Sequence, residues 1–304
     1  MIERPRCPVC DSRAARTVYR SRFGASPIRD YLFGFYPGFS DDDLALLEDA
    51  EFVLELCSEC TLVWQRHAPD AELLTRLYDD WATGAGGIER HDNLAYQRAA
   101  AEETMLVLEL AGRPPSEIAV LDFGMGWGRW PRLAAAFGCR AHGVELARHQ
   151  AEFAATQGVT VLTLEQLPDA AYFFINSEQV FEHLVDPQDT AARLARSLAH
   201  DGWLKVAVPN GDDILRRLSH PDWTAPRGSP RSLAAVAPLE HLNCFNRRAL
   251  DALGESGSLR RARPPVPRVY AATIGFWPPR RIARNIGRAP IRSIRPGASY
   301  FRHP

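Results

Sequence analysis

Two cysteine pairs of the form C-x-x-C, Cys7/Cys10 in CPVC and Cys57/Cys60 in CSEC, stand 46 residues apart. Four thiolates at such a spacing suit a tetrahedral metal site. Because they leave no coordination position open, the ion would be structural zinc rather than a catalytic metal. A redox C-x-x-C is the alternative, but neither pair falls on a strand-to-helix unit of the thioredoxin kind. Farther along, VLDFGMGWGRW places Gly124, Gly126 and Gly128 directly after an apolar run. Glycines at a strand-to-helix turn remove the Cβ atoms that would keep a ligand from the backbone. Two Glu-His dipeptides, Glu182-His183 and Glu240-His241, supply carboxylate and imidazole for acid-base work or for binding an acceptor.

The elements that would hold these residues follow from the pattern. CPVC leads into an aromatic stretch with Tyr31, Phe33, Phe35 and Tyr36, which we read as the small core of an N-terminal module rather than a ring-stacking platform. DDDLALLEDA has the acidic start of a short helix, and EFVLELCSECTLVWQ reads as strand, knuckle, strand. Residues 70–112 look helical around a GAGG break. From 118 onward, strands and helices alternate: IAVLDFG, CRAHGVEL, VTVLTL, YFFINSEQV and GWLKVAVPN as strands, with helices between them. Such alternation predicts a parallel sheet with covering helices. The expected organisation is a zinc module over 1–69, a helical connector over 70–112 and a nucleotide-type domain over 113–304. That domain would carry a lid-like insert at 211–245 and a basic segment at 264–297.

Which nucleotide the glycine turn takes depends on its last position. A dinucleotide turn wants a small residue where this chain has Arg129, and no Gly-Lys-Ser/Thr follows for a phosphate loop. The segment VLDFGMGWG instead resembles the first motif of the class I S-adenosylmethionine-dependent methyltransferases. HGVEL, INSEQVFEHLVDP, ARSLAHDGWLKVAVPN and PLEHLNCFNRRALDALGESG resemble the motifs that follow it in that family, in the same order. The resemblance covers about residues 115–260. It implies an α/β fold, a Rossmann-like doubly wound sheet preceded here by a small N-terminal zinc ribbon. It further implies S-adenosylmethionine as cofactor, with Glu145 gripping both ribose hydroxyls, as befits a carboxylate facing a diol. The other cofactor-binding residues it implies are Asp122, Phe123, Gly124, Gly126, Trp127, Gly128, Leu146 and Gln179. Aromatic faces such as Phe123 and Trp127 also suit a positive sulfonium.

A four-cysteine ribbon ahead of such a domain is similar to sugar and natural-product methyltransferases of polysaccharide and deoxysugar pathways. That likeness implies a small, sugar-like acceptor, methylated on oxygen or carbon. His241 is the candidate base or acceptor ligand, with Glu240 and His183 beside it in the catalytic set. Besides Met125, which stands where a cysteine is commoner, the chain departs from the family at two positions. The acid usual at strand four is replaced, its match being Phe174, and Pro238 stands where a tyrosine is usual two residues before Glu240.

Composition limits the partners. The net charge is −1, yet no acidic residue follows Glu255 while eleven arginines do. Prolines 278, 279, 290 and 296 interrupt any long amphipathic helix there, so a solvated or packing role is the first reading of this basic end. No DNA partner is expected, and the near-neutral charge together with the absence of an N-P-P-Y-like motif argues against RNA. An RNA methyltransferase and a non-catalytic zinc-ribbon adaptor are the alternative functions. No apolar run reaches about eighteen residues and MIERPRCPVC lacks a signal-peptide core, so a cytoplasmic protein without a transmembrane segment is expected. The one lysine, Lys205, lies mid-strand and is not a catalytic candidate.

Overall fold

A computed structural model of the chain describes residues 1–81, 93–273 and 298–304. The GAGG break, and the basic segment from residue 274 to 297, lie outside the described residues. The chain divides into two compact units, each assembled from separate stretches. One comprises Met1–Gly86, Phe181–Gln188 and Pro209–Leu253, the other Gly87–Val180, Asp189–Val208 and Gly254–Pro304.

The second unit is built on a mixed sheet, seven-stranded among the described residues. Its order is Arg260–Ala262, Ala298–Arg302, Leu198–Ala207, Tyr172–Glu178, Ala119–Phe123, Arg140–Val144, Thr160–Val161. The last five strands run parallel. Ala298–Arg302 pairs antiparallel to Leu198–Ala207, and Arg260–Ala262 antiparallel to Ala298–Arg302. This is a Rossmann-like α/β architecture with an antiparallel pair at one edge. Ala119–Phe123 is buried along its whole length, as a central strand covered on both faces must be. The next strand in sequence lies on one side of it and Tyr172–Glu178 on the other. Ala119–Phe123 is therefore the point where strand order reverses, and its carboxyl end opens on the crevice where ligands bind in such sheets.

Lys205 is fully buried in this sheet. Burial opposes its charge, but Glu103 at 3.2 Å and Glu178 at 3.3 Å outweigh that and hold its pKa above the ordinary lysine value. Its part is electrostatic, within the core.

The first unit surrounds an antiparallel sheet of Asn243–Cys244, Val63–Gln65, Glu51–Cys57 and Ala15–Arg22. Ser40 and Asp43 form a reciprocal capping box on the helix Asp41–Ala45. Tyr36 is buried in the core, with Tyr31, Phe33 and Phe35 packed against it, so the aromatic run is core. The stretch expected to cover the sheet edge as a lid, 211–245, supplies Ile214, Leu218, Trp223, Leu233, Val236 and Leu239 to this same core. Its large apolar residues find more area to bury beside the aromatic cluster than a surface excursion would give them.

Candidate functional site

The donor end of the site is organised by one carboxylate. Glu145 follows the strand Arg140–Val144, accepting from the Gly126 amide through Oε2 at 2.8 Å and from the Ala147 amide through Oε1 at 2.9 Å. Each carboxylate oxygen has a second lone pair, so two acceptor positions remain for a diol. Gly124 and Gly128 are dictated by space as well as by conformation. At φ +75° a Cβ on Gly124 would stand 2.3 Å from Val180 Cγ2, and at φ +66° one on Gly128 would stand 2.7 Å from Ala154 Cβ. The small residue sought at position 129 is therefore Gly128, whose missing side chain lets the helices Arg129–Ala136 and Arg148–Thr156 approach. Arg129 itself lies over the Tyr96 ring at 4.4 Å.

The other cofactor candidates divide by exposure. Trp127 packs edge-on against His149 and Phe153 at 5.3 and 5.5 Å. Leu146 is 95% exposed. Gln179 is exposed with a left-handed backbone, its amide held by the Ala207 carbonyl. Phe123 is buried beneath the turn.

Asp122 is buried as well and accepts a 2.7 Å hydrogen bond from the Asn176 amide on the neighbouring strand. Phe174 pairs with Val120 deep in the core, and the carboxylate at the strand's end is Glu178.

Burial raises Asp122 from 3.8 to about 7, with Asn176 and Lys205 opposing the rise. A folded pKa above the unfolded one means that the native chain holds an extra proton between about pH 4 and 7, so stability falls as pH rises through that window. Asp122→Asn keeps an acceptor for the Asn176 amide. It also offers a donor to Asn176 Oδ1, which has no hydrogen-bond partner among the described residues. Thermal melts should show this variant flatter across the window and more stable than wild type at about pH 8.

The cysteines meet in the first unit. Cys7 Sγ lies 3.4 Å from Cys60 Sγ and Cys10 Sγ 3.5 Å from Cys57 Sγ, and one ligand atom of each of the four lies within 4.8 Å of the others. Zinc–sulfur bonds of about 2.3 Å in a tetrahedron separate sulfurs by about 3.8 Å, close to what is found. The two knuckles repeat one geometry. The amides of Cys7 and Cys57 donate to the carbonyls of Ser12 and Leu62, and the residues after the second cysteines, Asp11 and Thr61, have φ of 55° and 62°. A hydrogen bond from Cys60 pulls the Cys7 thiol down to about 6 and pushes Cys60 up, so the cluster already favours a thiolate. The donor set fits zinc.

The two Glu-His segments also come together in the first unit, one on the short turn Phe181–His183 and the other just before the strand Asn243–Cys244. The rings of His183 and His241 are 4.9 Å apart, and one ligand atom each from Glu182, His183 and His241 lies within 4.8 Å of the others. His183 Nδ1 donates to the Glu240 carbonyl at 2.9 Å, and His241 Nδ1 donates to the Ala234 carbonyl. Because a carbonyl only accepts, both rings carry hydrogen on Nδ1 and keep the lone pair on Nε2. Burial lowers both pKa values, that of His241 to about 3 with repulsion from His183 adding to the effect. An imidazole this hard to protonate is a weak general base at neutral pH, and its lone pair is better used as a ligand. The Glu240 carboxylate instead pairs with Arg227 at 3.0 Å.

Three buried residues that sequence reasoning passed over lock this cluster. Arg4, lowered to about 10 by burial, donates to the carbonyls of Gln65, Leu242 and Val185 and to Asn243 Oδ1. Asn243 donates to the carbonyls of Phe181 and Leu184, and Gln65 to those of Ala237 and His241. Arg4→Ala would orphan this set of buried acceptors. It should cost about 3 kcal/mol of stability, measured as a shift in the denaturation midpoint at unchanged slope.

A glycine turn at the strand-order reversal, closed by an acid after the next strand, is an arrangement that holds a nucleoside. Residues 95–256 match a family model described as a methyltransferase domain, and the chain belongs to that family. No curated protein sequence matches the chain. Among solved structures, the plantazolicin methyltransferase BpumL, in complex with a pentazolic desmethylPZN analog and SAH, is similar with TM-score 0.51 and 11% identity. That match covers 75% of this chain and 93% of that one. The YcgJ protein from Bacillus subtilis is similar with TM-score 0.42 and 16% identity over 66% of this chain and 99% of that one. At these identities the likeness concerns the fold.

Proposed function

We propose that the chain is an S-adenosylmethionine-dependent methyltransferase with a structural zinc in its N-terminal unit. Its acceptor would be a small molecule of the sugar, nucleotide-sugar or natural-product-intermediate class. The observation that carries this reading is Glu145, tied to the glycine turn through two backbone amides yet retaining acceptor capacity for a ribose diol. Bound there, the cofactor would supply a methyl group on a sulfonium: an acceptor lone pair forms the bond to the methyl carbon as the carbon–sulfur bond breaks in line, S-adenosylhomocysteine leaves, and the acceptor's proton passes to water. Most of the acceleration in such a displacement comes from positioning. In this chain the glycine cradle fixes the donor end. Leu146 would offer its exposed apolar surface to the base, and Trp127 is the aromatic residue of the turn that would suit a positive charge.

His183 and His241 are assigned to the acceptor, directly or through a bound group. Calorimetry should show one equivalent of S-adenosylmethionine or S-adenosylhomocysteine bound per chain. A methyl-release screen across nucleotide-sugars should then find an acceptor. His241→Ala should lose turnover at unchanged donor affinity, whereas full turnover in that variant would remove the histidine from the acceptor site. A chain with no affinity for either donor form would refute the methyltransferase reading.

A further inference from the structure

We propose that Glu182, His183 and His241 form a second metal site, one that binds a single divalent first-row cation and is separate from the four cysteines. Two imidazoles and one carboxylate are the donor set of open mononuclear sites for iron, cobalt, nickel or zinc. The placement here is that of ligands. One ligand atom of each residue lies within 4.8 Å of the others, and His183 Nε2 is 3.9 Å from Glu182 Oε1. A cation bonded to all three at about 2.0–2.2 Å would draw them to about 3.0–3.6 Å of one another, a small contraction from the separations found here.

The outer contacts point the same way. Histidines that ligate metals through one nitrogen donate the other to a carbonyl or carboxylate, which fixes tautomer and orientation. Both histidines do this through Nδ1, to the carbonyls of Glu240 and Ala234. The segments that carry the three ligands are themselves clamped: Asn243 holds the carbonyls on either side of Glu182-His183, and Gln65 holds the His241 carbonyl. Glu182 is wholly buried and His241 nearly so, while the His183 side chain is 20% exposed, which leaves a way in for the ion. Three protein ligands leave coordination positions open. Taken with the methyltransferase reading above, those positions would receive an oxygen atom of the acceptor. Metal binding itself does not depend on that reading.

The test uses full-length protein with its cysteine site saturated by zinc, titrated with Co2+ and followed by elemental analysis and the ligand-field spectrum. The expected result is one added cobalt per chain, with nitrogen–oxygen rather than thiolate character. Glu182→Gln, His183→Gln and His241→Gln should each weaken it at least tenfold while the zinc count stays at one. Glutamine at 182 is close in shape to the native residue, and thermal melts identify any variant that has failed to fold. Zinc-loaded wild type that binds no added cobalt, or variants that fold and bind it as wild type does, would overturn the proposal. Loss of methyl transfer without loss of cobalt would count against the acceptor role alone, and cobalt bound by a chain without donor affinity would leave the metal site standing while the methyltransferase reading fell.

Discussion

Cys57→Ala is expected to yield a protein without structural zinc and with its N-terminal unit unfolded at 25 °C. Cys57 closes the strand Glu51–Cys57, and its neighbour in the cluster, Cys10, comes from the other knuckle. One metal would thus tie two distant parts of the chain. Zinc at small thiolate sites contributes about 10–16 kcal/mol of apparent binding energy, comparable to the whole stability of a typical domain of about 5–15 kcal/mol. Without the metal, the aromatic core and the four-stranded sheet would have to hold the unit alone. Two left-handed residues without glycine's freedom, Asp11 and Thr61, add a local cost that the knuckle geometry must overcome. Elemental analysis should report one zinc per chain in wild type and none in the variant, with rapid proteolysis confined to the N-terminal unit. Cys139→Ala removes a buried cysteine outside the cluster and should keep its zinc. A wild-type preparation free of metal that still melts cooperatively would sink the zinc assignment.

Much of the methyltransferase sheet was legible because its signals are local. An apolar strand, a glycine turn and a helix start follow one another in VLDFGMGWGRW, and no distant residue is needed to read them. What escaped depends on contacts between remote stretches. Ala15–Arg22 is a strand although most of its residues are exposed, because it pairs with Glu51–Cys57. Its arginines and serine show no alternation to read. VTVLTL promised a six-residue strand, and only Thr160–Val161 pairs, at the edge of the sheet. The 211–245 stretch lacks helical or strand periodicity, so its apolar residues gave no hint that they enter the N-terminal core. Arg4, Gln65 and Asn243 lie far apart in sequence and act together only once folded. In the sequence Glu182 stands out only as the residue beside His183. Its distinguishing feature is complete burial, a property of the tertiary structure. The resemblance to methyltransferases proposes cofactor residues one by one. For an acceptor it offers only the Glu-His dipeptides, and folding places Glu182, not the Glu240 carboxylate, beside the two histidines.

Glu145→Ala is expected to weaken S-adenosylmethionine binding by about a thousandfold, the largest effect of any single change on the donor side. Hydrogen bonds to a charged group are worth about 1.5–3 kcal/mol each, and every 1.4 kcal/mol is tenfold in affinity, so two bonds to a ribose diol account for the estimate. The same carboxylate also receives the Gly126 and Ala147 amides, so removing it loosens the turn. The two contributions separate by ligand. If the diol contacts dominate, wild type should bind a 2′-deoxy analogue of S-adenosylhomocysteine much more weakly than the parent, and Glu145→Ala should bind the two alike. If the carboxylate serves only the turn, the variant should lose affinity for both by the same factor, and the ribose assignment fails. Glu145→Gln keeps one carbonyl acceptor, but its amide nitrogen can accept from neither a backbone amide nor a hydroxyl. It should fall between wild type and alanine, at roughly one-tenth of wild-type affinity. Calorimetry at constant pH measures all three proteins against both ligands, and the non-additivity of mutation and deoxygenation is the quantity that decides.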